Sequence, residues 1–329
     1  MPSKYEMLPK LIHPYQFIRY KGNYTLNKLY CIAAASHFSK VIKKLNLDVL
    51  HAHFANEPAF TAMLISRATD IPFTFTGHAF DIFIDPDIGA LKERMENASA
   101  VITPSYYNRD YLHNLTKVDK NKIHVVRACS NIDKFGKITK VDGSSNILTV
   151  GRLVEKKGIK YAIMAIKEII DDFPEIKYKI VGSGPLEGEL RDMVRDLRME
   201  DNITFLGSLN DEGLIKELRN AGIFVLPCIK ASNGDMDVCP LTLQEAMIAK
   251  VPVVSCNIAS IPELIRDGVE GFLVEPRSSR ELAGAIKTLK DDADLRTKMG
   301  FSGSKKIDNE FNVHKEVELL LNLWNKMNR

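Results

Sequence analysis

A chain of 329 residues, 45% of them hydrophobic, carries enough apolar surface for a large core and at this size is expected to divide into two domains. The net charge of +3 is too small to point to nucleic acid, and no run approaches the roughly eighteen apolar residues that a membrane-spanning helix needs. Five cysteines (Cys31, Cys129, Cys228, Cys239 and Cys256) are odd in number, scattered and without CxxC spacing, which argues against a disulfide framework and a structural zinc site and fits a reducing compartment.

Residues 1–25 show no period and read as an irregular arm. Over the first fifty residues Lys4, Lys10, Arg19, Lys21, Lys28, Lys40, Lys43 and Lys44 face only Glu6 and Asp48. The plain reading is a solvated face, and the sharper one a surface touching anionic lipid. No apolar stretch with a small-residue cleavage site opens the chain, so the protein reads as cytoplasmic, at most peripheral to a membrane. From Asn27 to Leu45 the apolar residues Leu29, Ile32, Ala33, Val41, Ile42 and Leu45 recur at helical spacing. A strand at DVLHAHF, a helix over 58–68, the strand IPFTFT ending at Gly77, a helix over 88–97, the strand SAVITP, a helix over 106–115 and the strand KIHVVRA follow. Strands alternating with helices predict a parallel sheet.

Between Ser130 and Asn146 the chain turns polar and rich in turn formers, which places a domain boundary there. The first domain is expected over 1–135 and the second over 136–310. The second half restarts the alternation with strands at NILTV, KYKIV, NITFL, GIFVL, VPVVS and GFLV and helices over 158–172, 186–199, 211–220, 241–249, 261–266 and 279–290. That is a complete doubly wound α/β domain. Helices over 293–307 and 313–327 close the chain.

Ligands of open parallel sheets bind beyond the C-terminal ends of the strands, so chemistry is sought there. After NILTV comes GRLVEKKG, in which Gly151 allows a tight turn and Arg152 and Lys157 suit two phosphates, one as a fork and one as a point charge. After KYKIV, Gly182 and Gly184 allow close backbone approach or simply make a tight turn. The stretch from Gly234 to Lys250 holds Asp237 and Glu245 on either side of Pro240. A proline fits just inside a helix start, which puts Asp237 on the preceding loop, Leu241 in the first turn and Glu245 about one turn along. Free backbone N–H groups at that helix end suit an anion, and the flanking carboxylates suit hydroxyls. In the first half, the pair His51 and His53 with His78 and Asp81 could suggest a metal-dependent hydrolase. That reading lacks further ligands at later strand ends, since His124 falls in a strand and His113 in a helix.

Taken together, GRLVEKKG, IVGSGPLEGEL, ITFLGSLNDEGLIKELRNAGIFVLP, PLTLQEAM, VPVVS and IPELIRDGVEGFLVEP stand in the order and spacing of glycosyltransferase family 4, which the chain resembles over most of residues 27–310. The GDM lead-in resembles bacterial enzymes of colanic-acid and other exopolysaccharide synthesis. HAHF, FTGHAFDIF and VITPSYYNRDYL extend the likeness into the first half. The resemblance implies a GT-B architecture of two facing Rossmann-like domains, with a final helix over 311–329 crossing back to the first. It implies transfer of a hexose, with retention of configuration and no obligatory metal or other cofactor, from a nucleotide diphosphate sugar to a saccharide or lipid-linked saccharide acceptor. By matching position, Arg152 and Lys157 would neutralise the departing diphosphate, Glu245 would bind ribose, Asp237 the donor sugar, and His78 the sugar from across the cleft. The first domain is expected to be incomplete, because the chain begins where a family member is already past its first strands and their Gly-rich loop. A non-catalytic nucleotide-sugar-binding subunit, an epimerase and a phosphorylase are the alternatives. Asp237 stands where the family has glutamate, and NIASIPE lacks the paired glycines common before its helix.

Overall fold

The computed structural model describes residues 24–139 and 144–327. Residues 1–23 of the expected N-terminal arm, with Lys4, Lys10, Arg19 and Lys21, lie outside them, while its last two residues, Tyr24 and Thr25, already belong to the first helix. Two all-parallel sheets organise the rest. In the first, β1 (Leu50–His53), β2 (Phe73–Thr76), β3 (Ala100–Thr103) and β4 (Ile123–Val125) lie side by side in chain order. Their connections are α2 (Glu57–Thr69), the short α3 (Phe80–Phe83) with α4 (Ile88–Asn97), and α5 (Tyr106–Thr116), while α1 (Tyr24–Ile42) packs on α2. Phe73, Phe75, Met63, Leu91, Met95 and Leu112 fill the core between sheet and helices.

The second sheet has the strand order β10-β9-β8-β5-β6-β7. Its strands are β5 (Asn146–Val150), β6 (Tyr178–Val181), β7 (Ile203–Gly207), β8 (Ala221–Leu226), β9 (Val253–Cys256) and β10 (Gly271–Val274). Every residue of β8 is buried, which is why AGIFVL reads as an unbroken apolar run: helices cover both faces of the sheet. One of them, α7 (Ile159–Ile169), turns Ile159, Ala162, Ile163, Ile166 and Ile169 inward at helical spacing. The order is that of a doubly wound sheet, and the winding reverses between β5 and β8. The loops after these two strands therefore flank the crevice in which such sheets bind ligands.

Two crossings tie the domains together. At the first, the buried Gln244 of α10 (Leu241–Ile248) accepts from the Ser130 N–H (2.9 Å) and donates to the Ala128 carbonyl (2.8 Å). At the second, the chain returns after α13 (Ala293–Glu310) as α14 (Val313–Met327). There Glu316 accepts from the Arg127 N–H (2.8 Å) and the Trp324 indole donates to Thr74 Oγ1 of β2 (3.2 Å).

Candidate active site

The loop after β5, residues 151–158, carries three cations with different fates. Arg152 is exposed and makes no ion pair among the described residues, whereas Lys156 and Lys157 are buried. Gly158 closes the loop with φ +64°, and a β-carbon there would stand 1.9 Å from the Pro227 carbonyl oxygen, so only glycine lets this loop meet the loop after β8. The two are stitched further by the Ile229 N–H on the Lys156 carbonyl (2.9 Å) and by Glu155, which accepts from the Ser232 N–H (3.0 Å) and hydroxyl (2.7 Å).

The loop after β8 folds back over this frame and brings its acids onto the lysines. Asp237 Oδ2 lies 2.7 Å from Lys157 Nζ, and Lys156 Nζ lies 3.4 Å from Asp237 Oδ1 and 3.0 Å from Asp235 Oδ2. Burial by itself would raise the Asp237 pKa and lower that of Lys157, but their mutual attraction prevails: Asp237 is held below the usual carboxylate range and Lys157 above the usual amine range. The Cys228 thiol donates to the same carboxylate at 3.5 Å, and burial together with that charge keeps it well above the ordinary thiol range.

Helix α10 begins beside this cluster. Pro240 occupies its N-cap rather than its first turn, no side chain caps it, and Leu241 is exposed at its first position. Its leading N–H groups are therefore free of side-chain partners, the arrangement in which a helix end takes an anion. One turn along, the half-buried Glu245 makes no side-chain hydrogen bond or ion pair among the described residues. Its neighbours Lys134 and Asp211 pair with each other at 2.6 Å. Burial pushes Glu245 up to about 7, with Lys134 opposing and Asp211 adding to the rise.

A carboxyl whose folded pKa exceeds its unfolded value contributes most below the unfolded pKa and loses that contribution as pH rises through the folded one. Glu245→Gln is therefore expected to unfold at higher urea than the wild type at pH 8. The gain should be on the order of 1 kcal/mol once solvent screening is allowed for, and smaller at pH 5. Equal gains at both pH values would show that the carboxyl is not held out of its ordinary range.

Gly182 and Gly184 serve the same frame. A β-carbon at Gly182 (φ +132°) would stand 1.9 Å from the Gly151 carbonyl oxygen, and one at Gly184 2.5 Å from that of Leu153, so the loop after β6 rests directly on the GRL turn. His78 belongs to the other domain, on the loop between β2 and α3. Buried Asp81 fixes that loop by accepting from the backbone N–H groups of His78 (3.0 Å) and Ala55 (2.6 Å). Burial lowers the His78 pKa, partly opposed by Asp81 and reinforced by His53, whose Nδ1 lies 3.2 Å from His78 Nε2. Phe54 packs its ring on His78 and holds φ +82°, a strained value for a bulky residue at the end of β1. Among the described residues no three His, Cys, Asp or Glu side chains are grouped to hold a metal ion. Sequence reasoning passed over Lys156 and Asp235. The signal available was local: adjacent lysines in one strand-end loop and acids two apart in the other.

The model of the glycosyl transferases group 1 family matches residues 130–306, more than half of the chain, and that of Glycosyltransferase Family 4 matches residues 3–133. The chain belongs to the group 1 glycosyltransferases. Its sheets and their connections are those of the GT-B fold, in agreement with the sequence. The chain is 36% identical over 169 residues to the amylovoran biosynthesis glycosyltransferase AmsK of Erwinia amylovora, a match covering 51% of the chain and 41% of AmsK. The chain thus spans less than half of that curated relative. It is 26% identical over 305 residues to the N-acetyl-α-D-glucosaminyl L-malate synthase of Bacillus anthracis, covering 88% of the chain and 77% of the synthase. Among solved structures, Alr3699/HepE of Anabaena in complex with UDP superposes with a TM-score of 0.77 at 18% identity, over 89% of this chain and 82% of that one.

Proposed function

We propose that the chain transfers a hexose, with retention of configuration, from a nucleotide diphosphate sugar to a lipid-linked saccharide in the synthesis of a surface polysaccharide. One observation carries the reading. At the switch point of the second sheet an arginine unpaired among the described residues, a largely enclosed lysine–aspartate pair and an uncapped helix end converge, with a carboxyl one turn behind that has no partner among the described residues. Glycosyl transfer needs that set. Breaking the bond from sugar to phosphate builds negative charge on the diphosphate, which Arg152, Lys157 and the leading N–H groups of α10, Leu241 included, would stabilise. Glu245 would accept from the ribose hydroxyls. As the diphosphate draws Lys157 toward itself, Asp237 is released to accept from hydroxyls of the donor sugar, and His78 meets the sugar from the facing domain.

The names of AmsK and of the UDP-bound Anabaena structure support a nucleotide-sugar donor and a polysaccharide product. No helix among the described residues is long and apolar enough to cross a membrane. Leu29 and Ile32 of α1 are exposed, as are Lys28 and Lys40 of the same helix and Lys43 and Lys44 just after it, which supports peripheral contact with the anionic cytoplasmic leaflet that would present a lipid-linked acceptor. Calorimetric titration with UDP-, GDP- and ADP-glucose is expected to give saturable heat for one of the three, and its absence in all would end the donor-site reading. Cosedimentation with vesicles containing phosphatidylserine, lost in high salt, tests the membrane contact.

A further inference from the structure

Three consecutive residues of the loop after β8 address two domains at once. Asp235 and Asp237 pair with Lys156 and Lys157 of the second domain, while the Met236 side chain between them is 7% exposed and packs into the core of the first, the cluster that holds Ile82 and Phe83 of α3. Gly234 lets the loop come that close: its φ is +88°, and a β-carbon there would press within 3.3 Å of the Phe83 carbonyl oxygen. Val238, Ile258 and Ala259 of the second domain border the same first-domain cluster. A polar contact braces the closure, as the Glu263 carboxylate of the short helix α11 (Ile261–Leu264) accepts from the N–H groups of Tyr106 (3.1 Å) and Tyr107 (2.8 Å) where α5 begins.

We propose that Met236 is a positioning residue which couples closure of the first domain onto the second to the placement of Asp237. Seating Met236 in the first domain holds Asp235 and Asp237 against their lysines, and withdrawing it frees the loop. For Asp237 this rests on the proposed donor site. The diphosphate and ribose groups, by contrast, would be held by Arg152, Lys157 and Glu245 of the second domain.

The test uses the full chain with Met236→Ala, Met236→Gln, which keeps the length and removes the apolar fit, and Met236→Leu, which keeps both. Small-angle scattering without nucleotide reads closure. Calorimetry with UDP, GDP and ADP alone reads the phosphate and ribose groups, and turnover of the matching nucleotide-glucose reads Asp237. The Ala and Gln variants are expected to show a larger radius of gyration and a kcat lowered about ten- to a hundredfold. Their affinity for the bare nucleotide should stay within about twofold, with Leu restoring kcat to within about threefold. A radius of gyration unchanged in both Ala and Gln variants overturns the coupling whatever turnover does. So does bare-nucleotide affinity that falls in step with kcat, or failure of Leu to rescue. If no nucleotide binds the wild type, the donor reading fails, and the scattering comparison still decides whether Met236 latches the domains.

Discussion

Lys157→Met is expected to lower the unfolding free energy by about 3 kcal/mol and to abolish donor binding, the largest combined effect of any single change in this site. The cause lies in the partner left behind. The Asp237 side chain is only 13% exposed, and Lys157 at 2.7 Å is its nearer cation. Lys156, at 3.4 Å, is shared with Asp235 and compensates only in part. Removing the nearer ammonium therefore strands a largely enclosed carboxylate, which responds by taking up a proton or loosening the loop. Adding Asp237→Asn should recover a good part of the lost stability, because the double variant buries a neutral pair, yet it should recover no activity. Urea unfolding of the two single variants and the double closes the cycle. Additive losses would mean that the two side chains do not sense one another. The cycle also separates this site from a surface pair, where the same exchange changes stability by about 1 kcal/mol or less.

How much of this was open to reading from the sequence depends on the range of the interaction. Apolar runs and helical spacing are local signals, and they place the four strands of the first sheet, the six of the second and the helices between them within a few residues. Pro240 is local too: its fixed φ serves the N-cap as well as the first turn, so the helix start lies one residue from where a proline in the first turn would put it. Phe80–Phe83 and Ile132–Phe135 were missed, being too brief to show a period, although the equally short Ile261–Leu264 was found. The pairing of Lys156 and Lys157 with acids some eighty residues on is a tertiary fact. Composition showed that cations and carboxylates lay at strand ends, but not that the structure brings Lys157 and Asp237 into contact. Met236 is the clearest case. In the sequence it is an apolar residue between two acids, and only the facing domain gives it a core to enter.

Arg152→Ala provides the complementary result: a fall of about a hundred- to a thousandfold in kcat with no loss of stability. Arg152 is exposed and unpaired among the described residues, so truncating it breaks no contact that holds the fold, and the melting temperature should stay where it is. A charge kept next to a buried lysine with no acid to balance it is unfavourable in the free protein, and Lys157 senses it as a like charge. The arrangement becomes favourable when a diphosphate arrives, and more so as negative charge builds on that group in the transition state. Arg152→Lys should recover only part of the rate, because a point charge replaces a planar fork that can hold two oxygens at once. Single-turnover release of glucose from the bound nucleotide-glucose, measured beside thermal unfolding, separates the possibilities. If Arg152→Ala lost stability and rate together, the side chain would be a strut of the β5 loop. If it kept the wild-type rate, charge stabilisation at this end of the crevice would have to come from Lys157 and the α10 end alone.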